Sequence, residues 1–182
     1  RTPFGEWWWT VARLSLAACG ALMLTGIVMS LAASPPVAAR LGLDPFHFVN
    51  RQIFFTIPAA FVMIGVSLLT PRYVRRLALA VFIISLIMVA LTPHFAAEIK
   101  GARRWLVILG VSIQPSEFLK PSFVIIIAWL FGESSRRPEM PSTLFAFLLL
   151  MVVITLLVMQ PDFGQTMLIA LVWSALFFMA GM

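Results

Sequence analysis

Apolar runs of nearly membrane-spanning length fill most of this chain, and they constrain its fold more than any other feature. A helix that crosses a bilayer needs about 20 predominantly apolar residues. Runs approaching that length alternate with short polar segments along the whole sequence. The pattern predicts an all-α fold, a polytopic membrane helix bundle with about six transmembrane helices. The runs are Leu14–Ala33, Ile53–Leu69, Leu77–Leu91, Pro115–Phe131, Thr143–Met159 and Phe163–Ala180.

The composition agrees with an integral membrane protein. Of the 182 residues, 62% are hydrophobic and only 11% are charged, whereas soluble domains carry about 25% charged residues. The net charge of +6 therefore indicates membrane topology and lipid headgroups rather than nucleic acid. We expect one integral membrane domain over residues 1–182. Because Arg1 is not an initiator methionine, we also expect the chain to be a piece of a longer protein.

Proline residues predict where several helices end, because proline lacks an N–H donor and clashes with a continuing helix. Two further prolines, Pro58 and Pro121, fall within runs and are expected to kink their helices. The longest connections are then Ser34–Gln52 and Pro93–Gln114. The predicted ends are Ser34-Pro35-Pro36, Thr70-Pro71, Thr92-Pro93 and Gln160-Pro161, with Gly132 ending the fourth run.

The distribution of basic residues predicts the topology. With the N-terminus inside, seven basic residues lie inside and six outside, which is a weak bias. The short loops Pro71–Arg76 and Gly132–Ser142 nevertheless carry clear positive charge, and both fall inside. Basic residues on the outer side are then unexpected, because cytoplasmic loops normally carry the excess of Lys and Arg. Four of these six are Lys100, Arg103, Arg104 and Lys120.

Lys100, Arg103 and Arg104 admit two interpretations. Long cationic side chains at a membrane face commonly extend toward water, and Trp105 would fit the aromatic belt. Alternatively, the arginines offer planar guanidinium groups to a phosphate or pyrophosphate. The adjoining stretch Arg104–Val111 is too short to span the membrane, and it predicts a re-entrant or interfacial segment.

The segment from Gln114 to Lys120 also admits two interpretations. Pro115 suits the first position of a helix, Gln114 or Ser116 could cap it, and Glu117 would oppose the helix dipole. Glu117 and Lys120 are three residues apart, so they can pair on one helix face. Such a pair at the mouth of a membrane helix is also typical of a polar cavity.

The segment from Gln160 to Gln165 favours a helix start. Asp162 and Gln165 have the spacing of a capping box, although that motif begins with Ser or Thr. Asp162 could instead bind a metal or a substrate hydroxyl. Neither of the two histidines has a second His, Cys or carboxylate at metal-ligand spacing, so the sequence shows no metal site.

Three motifs together resemble the SEDS family of bacterial cell-wall polymerases, the FtsW/RodA type. They are KGARRW at 100–105, IQPSEFLK at 113–120 and QPDFGQT at 160–166. The resemblance covers essentially the whole chain but only the first half or so of a family member. The loops GESSRRPEMPS and SPPVAARLGLDPFHFVNRQ are more similar to the division branch, FtsW, than to the elongation branch.

The resemblance implies a peptidoglycan glycosyltransferase with a ten-helix fold, of which this chain would hold about six helices. Its substrate would be lipid II, which is linked to undecaprenyl pyrophosphate, at the outer face of the bacterial inner membrane. Its partners would be a class B penicillin-binding protein transpeptidase and other proteins of the division septum. A divalent cation is also implied, although no ligand set is visible. A lipid II flippase and a non-catalytic division scaffold are the alternatives.

The resemblance also implies roles for individual residues. Lys100, Arg103 and Arg104 would lie near the pyrophosphate, and Glu117 with Lys120 would form a buried acid–base pair. The catalytic Asp of the family would lie beyond Met182, so Asp162 is not that residue and we expect the chain by itself to be inactive. The polar positions lining the cavity would be Gln114, Gln160 and Asp162.

Overall fold

Helices dominate the computed structural model of the protein, which describes residues 12–95, 104–108, 111–137 and 139–181. Five of the described helices are long and apolar enough to cross a membrane, and the last helix, with 17 residues, is shorter. The predicted membrane helix bundle is confirmed. The elements are α1 (Arg13–Leu41), α2 (His47–Ser67), α3 (Pro71–Phe95), β1 (Leu106–Ile108), β2 (Val111–Ile113), α4 (Pro115–Arg136), α5 (Ser142–Met159) and α6 (Phe163–Met179).

Two prolines lie inside α1 rather than at its end. The prediction that this helix stops at Ser34 is wrong, because it continues through both prolines to Leu41. Interior prolines are tolerated in membrane helices where neighbouring groups satisfy the carbonyls that they leave free. The predicted long connection Ser34–Gln52 is also wrong, since the loop between α1 and α2 covers only residues 42–46.

A glycine, not a proline, ends α1. Gly42 has a φ of 67°, in the left-handed region that glycine adopts without a steric penalty. Its N–H bonds to the carbonyl of Ala39 at 3.4 Å, and the N–H of Leu43 bonds to the carbonyl of Ala38 at 3.0 Å. This pair of bonds is the Schellman motif, which satisfies the last carbonyls of a helix.

Pro93 likewise lies inside α3, so the predicted end at Leu91 is wrong and the helix continues to Phe95. Proline removes the N–H that would bond to the carbonyl four residues earlier, which here belongs to Val89. The side chain of Gln160, at the end of α5, donates from Nε2 to that carbonyl at 2.7 Å. Gln160 is buried, so a distant residue replaces the missing backbone donor.

The predicted starts of α2 at Ile53 and of α3 at Leu77 are also wrong, because these helices begin at His47 and Pro71. The predicted loop Pro71–Arg76 therefore forms the first turns of α3.

The predicted boundaries of α5 and α6 each agree within one residue. α4 passes through Gly132 to Arg136, so the predicted end at Phe131 is wrong. A glycine lowers helix stability by only about 1 kcal/mol, which packing against neighbouring helices offsets.

The chain divides into two compact units, Arg1–Thr70 and Pro71–Met182. In the first unit, α1 packs against α2. Their loop is held by the hydroxyl of Ser34, which donates to the carbonyl of Pro45 at 2.7 Å. The prediction of a single domain stays a prediction.

In the second unit, neighbouring helices run in alternating directions. Arg75 near the start of α3 lies over Trp129 near the end of α4, and Phe82 faces Phe123 farther along, so α3 and α4 are antiparallel. The indole of Trp173 in α6 donates to the carbonyl of Ala146 near the start of α5. These antiparallel pairings place the ends of α3 and α5 beside the starts of α4 and α6.

The core of the second unit is apolar and is centred on α4. An aromatic cluster adds to it: the rings of Trp173 and Phe177 stack at 5.2 Å, and Phe131 meets both edge-on. Many large apolar side chains of the second unit remain exposed, as expected where lipid rather than water covers the surface. The most deeply buried side chains are Val89, Leu119, Phe123, Ile127, Val153, Leu157 and Ile169.

The stretch before α4 forms a two-stranded antiparallel ribbon that the sequence did not predict. Leu106 pairs with Ile113, Val107 with Ser112 and Ile108 with Val111. The strands are too short to show a recognisable alternation of apolar and polar residues. Their mutual pairing satisfies backbone groups that would otherwise be costly near hydrocarbon. A re-entrant or interfacial position for this segment stays a prediction.

The bond between Gln160 and Val89 can be tested by a pair of substitutions. We expect Gln160→Ala to lower the free energy of unfolding by about 1–2 kcal/mol, because the carbonyl of Val89 loses its donor. Adding Pro93→Ala supplies a backbone N–H and should recover most of that loss. Denaturation of the protein in detergent micelles measures both effects.

Thr155→Ala is the matched control for this test, since the Thr155 hydroxyl bonds only within its own helix, to the carbonyl of Met151, on the exposed side of α5. It should change stability little. A double variant no more stable than Gln160→Ala alone would show that Pro93 does not create the need for the glutamine.

Candidate functional site

A polar cluster lies at one end of the second unit, where α4 and α6 begin and α5 ends. Its side chains come from the segment just before β1, from the first turns of α4, from the α5–α6 turn and from the start of α6. They therefore meet only when the helices pack together. The members are Arg104, Ser116, Glu117, Lys120, Asp162 and Gln165.

Arg104 connects the ribbon to the turn between α5 and α6. Its Nη1 lies 3.5 Å from Oδ1 of Asp162, and its Nη2 donates to the carbonyl of Pro161 at 3.0 Å. The Asp162 side chain is only 7% exposed and that of Arg104 is 34% exposed. Because one partner is buried, the contact should be stronger than a surface ion pair.

The predicted capping box at Asp162 is wrong. Asp162 occupies the residue before α6, but its side chain makes no capping hydrogen bond. Its carboxylate faces the Arg104 guanidinium instead, and a full positive charge attracts a carboxylate more strongly than a neutral backbone N–H does. Gln165, the expected partner in the box, contacts α4.

Glu117 joins α4 to α6. Its Oε2 lies 2.7 Å from Nζ of Lys120, and its Oε1 accepts a hydrogen bond from Nε2 of Gln165 at 3.1 Å. The pairing of Glu117 and Lys120 that their spacing predicted is confirmed. Glu117 is half exposed, at 49%, whereas Lys120 is 21% exposed. The pair thus lies at the surface of the cluster.

The start of α4 supports the helix-start interpretation only in part. Pro115 occupies the first turn and Glu117 is the acidic residue there, as predicted. The side chain of Gln114, the residue before the helix, forms no capping bond. The hydroxyl of Ser116 is buried and forms no hydrogen bond with any described residue. Neither predicted side-chain cap is therefore present.

Four buried polar atoms of the cluster have no hydrogen-bond partner among the described residues. They include one N–H donor, one hydroxyl and two acceptor oxygens. An unsatisfied buried polar atom costs about 1–3 kcal/mol, so such atoms are places where a polar ligand or ordered water bonds. The atoms are Nε of Arg104, Oγ of Ser116, Oδ2 of Asp162 and Oε1 of Gln165.

The charges of the described cluster balance, with two cations against two carboxylates. Lys100 and Arg103 lie outside the described residues. The described cluster by itself therefore carries no surplus of positive charge. Arg104 contributes a cation whose position is fixed by Asp162.

The remaining predicted site residues differ in what the structure shows. Gln160 lies at the end of α5, and the amide of this side chain bonds to α3 as described above. Its role in substrate binding, like that of Gln114, stays a prediction. Two cluster members, Ser116 and Gln165, were interpreted from sequence only as capping residues. Their spacing gave no sign of their contacts with distant elements.

The described residues do not fit a metal site. Among them, no three His, Cys, Asp or Glu side chains come together as possible ligands. Asp162 and Glu117 each already face a cationic side chain. The divalent cation implied by the resemblance stays a prediction.

Comparison with known proteins decides the family. The sequence profile of the FtsW/RodA/SpoVE family, described as cell cycle protein, matches residues 12–182. The chain belongs to this family. Membership agrees with the five long apolar helices and makes the chain part of a multi-pass membrane protein.

Curated members of the family align along most or all of the chain. A probable peptidoglycan glycosyltransferase FtsW of Caulobacter vibrioides is 40% identical over 182 residues, which is 100% of this chain and 47% of that protein. The protein of the same name from Trichlorobacter lovleyi is 32% identical over 88% of this chain and 43% of its own length. The chain thus spans about half the length of the curated relatives it matches.

Two solved structures have a fold similar to that of this chain. The rod shape determining protein RodA of Thermus thermophilus is 25% identical, with a TM-score of 0.58 over 81% of this chain and 48% of that one. A chain from a peptidoglycan synthase complex, whose structure concerns the coordination of polymerization and crosslinking, is 27% identical. Its TM-score is 0.57 over 80% of this chain and 44% of that one.

The contact between Arg104 and Asp162 can be measured by a double-mutant cycle with Arg104→Gln and Asp162→Asn. We expect a coupling energy of about 1 kcal/mol, because the carboxylate is buried. The matched control is the ion pair of Glu133 and Arg137, which is 3.1 Å long but has a 68% exposed arginine. Its coupling should be about 0.3–0.5 kcal/mol. Equal couplings in the two cycles would contradict a special role for the buried pair.

The contacts of Glu117 predict an order of stability among variants. Glu117→Ala removes partners from both Lys120 and Gln165, whereas Lys120→Met removes only the ion pair. Glu117→Ala should therefore destabilise more, by about 1 kcal/mol or somewhat above. Exchanging the two charges, with Glu117→Lys and Lys120→Glu, should recover part of the loss. Thermal unfolding in detergent measures all four proteins, and an exchange variant less stable than both single variants would refute the pairing.

Proposed function

We propose that this chain is part of a lipid II polymerase, a peptidoglycan glycosyltransferase that acts in septal cell-wall synthesis during bacterial division. The observation that carries this proposal is the set of buried, unpartnered polar atoms on Arg104, Ser116, Asp162 and Gln165. Family membership and the names of the curated relatives support it.

The chemistry of the substrate suits this end of the bundle. Lipid II joins an anionic pyrophosphate to a long apolar chain and a sugar. Lys100 and Arg103 would bind the pyrophosphate, and Arg104 would add a donor from Nε. The exposed apolar helix surfaces would accommodate the lipid.

The reaction requires the hydroxyl of an acceptor sugar to attack the anomeric carbon of the donor. The bond from that carbon to the undecaprenyl pyrophosphate then breaks, and the pyrophosphate leaves with the electron pair. Preorganised cations stabilise the negative charge that develops on the leaving group. A carboxylate elsewhere in the whole protein would take the hydroxyl proton, since Asp162 is held by Arg104.

The positions of the arginines support an outer location for this site. Arg72, Arg75 and Arg76 begin α3, and Arg136 ends α4. This end of the second unit is opposite the polar cluster. Basic loops remain in the cytoplasm, so the polar cluster would face outward, at the division septum.

A class B penicillin-binding protein transpeptidase would be the partner. The similar chain in a peptidoglycan synthase complex supports this assignment, because that complex coordinates polymerization with crosslinking. The transpeptidase would crosslink the glycan strands that the polymerase makes.

Synthesis of glycan from purified lipid II by the full-length protein with its transpeptidase tests the proposal. We expect Lys100→Gln with Arg103→Gln to reduce the polymerisation rate on the order of a hundredfold, since both cations act on the leaving group. Arg136→Gln with Arg137→Gln is the matched control, and it removes two charges at the opposite end. This control should polymerise normally.

Two outcomes would contradict the proposal. A fully active Lys100→Gln, Arg103→Gln variant would exclude the pyrophosphate role. Transfer of labelled lipid II across liposome membranes by the wild-type protein, without any polymer, would instead indicate a flippase.

A further inference from the structure

A groove with arginines along one side lies at the end of the second unit opposite the polar cluster. It runs between α3 and α4 and has a volume of about 330 Å³. In the sequence, these arginines indicated only the topology of the chain. The lining includes Arg72, Arg75, Arg76 and Leu79 of α3 with Ile125 and Trp129 of α4.

The spacing of the lining residues places them on facing helix surfaces. Arg72, Arg75, Arg76 and Leu79 follow the i, i+3, i+4, i+7 pattern of one helix face. Ile125 and Trp129 are four residues apart on α4, so they also share a face. The facing surfaces of these two antiparallel helices therefore form the groove. Its cations lie at one end, and its apolar side chains lie farther along.

The cations of the groove lack acidic partners among the described residues. None of the carboxylates there lies within ion-pair distance of Arg72, Arg75 or Arg76. Glu133 is the carboxylate of α4 that lies nearest in sequence to the lining residue Trp129, and it pairs with Arg137 instead. Three positive charges thus line one groove without neutralisation from the described chain.

Arg75 is also fixed in position. Its guanidinium carbon lies 5.8 Å from the centre of the Trp129 ring, which is within the range of a cation–π interaction. The ring holds the guanidinium beside the groove and leaves its N–H groups available. This arrangement prepares a donor for an anion.

The position of the groove at the start of a candidate membrane span indicates the level of a membrane surface. Pro71–Phe95 is apolar enough to cross a bilayer, and the arginines occupy its first two turns. Trp129 is partly exposed, as is typical of aromatic residues at a membrane interface. Leu79 and Ile125 lie one to two turns deeper, where acyl chains begin.

We propose that this groove binds an anionic phospholipid, with the phosphate on Arg72, Arg75 and Arg76 and an acyl chain along Leu79, Ile125 and Trp129. Basic pockets between membrane helices on the cytoplasmic side are suited to such headgroups. The apolar half favours a lipid over a free anion, and the absence of carboxylates among the lining residues favours an anionic headgroup over a zwitterionic one. The proposal is independent of the polymerase activity, because the two sites are at opposite ends of the helices.

Native mass spectrometry of the purified full-length protein tests lipid binding directly. The probes are phosphatidylglycerol and phosphatidylcholine with matched acyl chains, titrated in detergent. We expect preferential retention of phosphatidylglycerol, and weaker retention at higher ionic strength because salt screens the arginines. Arg72→Gln with Arg75→Gln and Arg76→Gln should weaken phosphatidylglycerol binding on the order of a hundredfold, while phosphatidylcholine binding stays unchanged.

Two further variants separate the groove from general charge and from topology. Arg136→Gln with Arg137→Gln removes two cations at the same end but outside the groove, and it should retain phosphatidylglycerol. Leu79→Trp fills the apolar half and keeps every arginine, so it preserves the basic charges at the start of α3 that would orient the protein. It should nevertheless lose phosphatidylglycerol binding.

Three outcomes would overturn the proposal. The first is equal retention of both lipids by the wild-type protein, which would indicate nonspecific annular lipid. The second is wild-type retention of phosphatidylglycerol by either the triple arginine variant or Leu79→Trp. The third is complete displacement of phosphatidylglycerol by inorganic phosphate, which would indicate a site for a free anion.

Discussion

Hydrocarbon offers no hydrogen-bond partner, so a carbonyl freed inside a membrane helix needs a donor from a neighbouring side chain, the local backbone or an ordered water. Pro93 frees the carbonyl of Val89, and Gln160 bonds to it from the end of α5. That bond fixes the end of α5 against α3. It thereby sets the position of the turn that follows, which carries Asp162. The geometry of the polar cluster depends on this replacement of a backbone donor by a side chain.

The side chains of the polar cluster divide their atoms between structure and binding. Arg104 uses both terminal nitrogens to hold the ribbon, and its Nε remains unpartnered among the described residues. In Asp162, Oδ1 contacts Arg104 and Oδ2 has no partner among the described residues. In Gln165, Nε2 bonds to Glu117 and Oε1 has no partner there. The bonded atoms of these side chains fix the positions of the unpartnered atoms before any ligand binds. Preorganised donors and acceptors of this kind lose little entropy on binding, which increases affinity.

The sequence predicted those parts of the structure that depend on local spacing. Apolar length indicated the helices, and the three-residue separation of Glu117 and Lys120 indicated their pair. It failed where distant residues override a local preference. Pro35 and Pro93 were expected to end helices. Instead α1 continues through its prolines until Gly42 ends it, and in α3 the side chain of Gln160 replaces the donor that Pro93 lacks. Asp162 had the spacing of a cap, yet an arginine before β1 provides a better partner.

The contacts of the polar cluster also impose an order on its assembly during biosynthesis. Val89 and Gln160 are 71 residues apart, Arg104 and Pro161 are 57 apart, and Glu117 and Gln165 are 48 apart. At a translation rate of roughly 5–20 residues per second, Gln160 is therefore synthesised about 4–14 s after Val89, the residue to which it bonds. During that interval the free carbonyl and the early cations need other partners, such as water or the insertion machinery. α3 and α4 thus emerge from the ribosome well before the polar cluster can form, and α6 supplies its last member, Gln165.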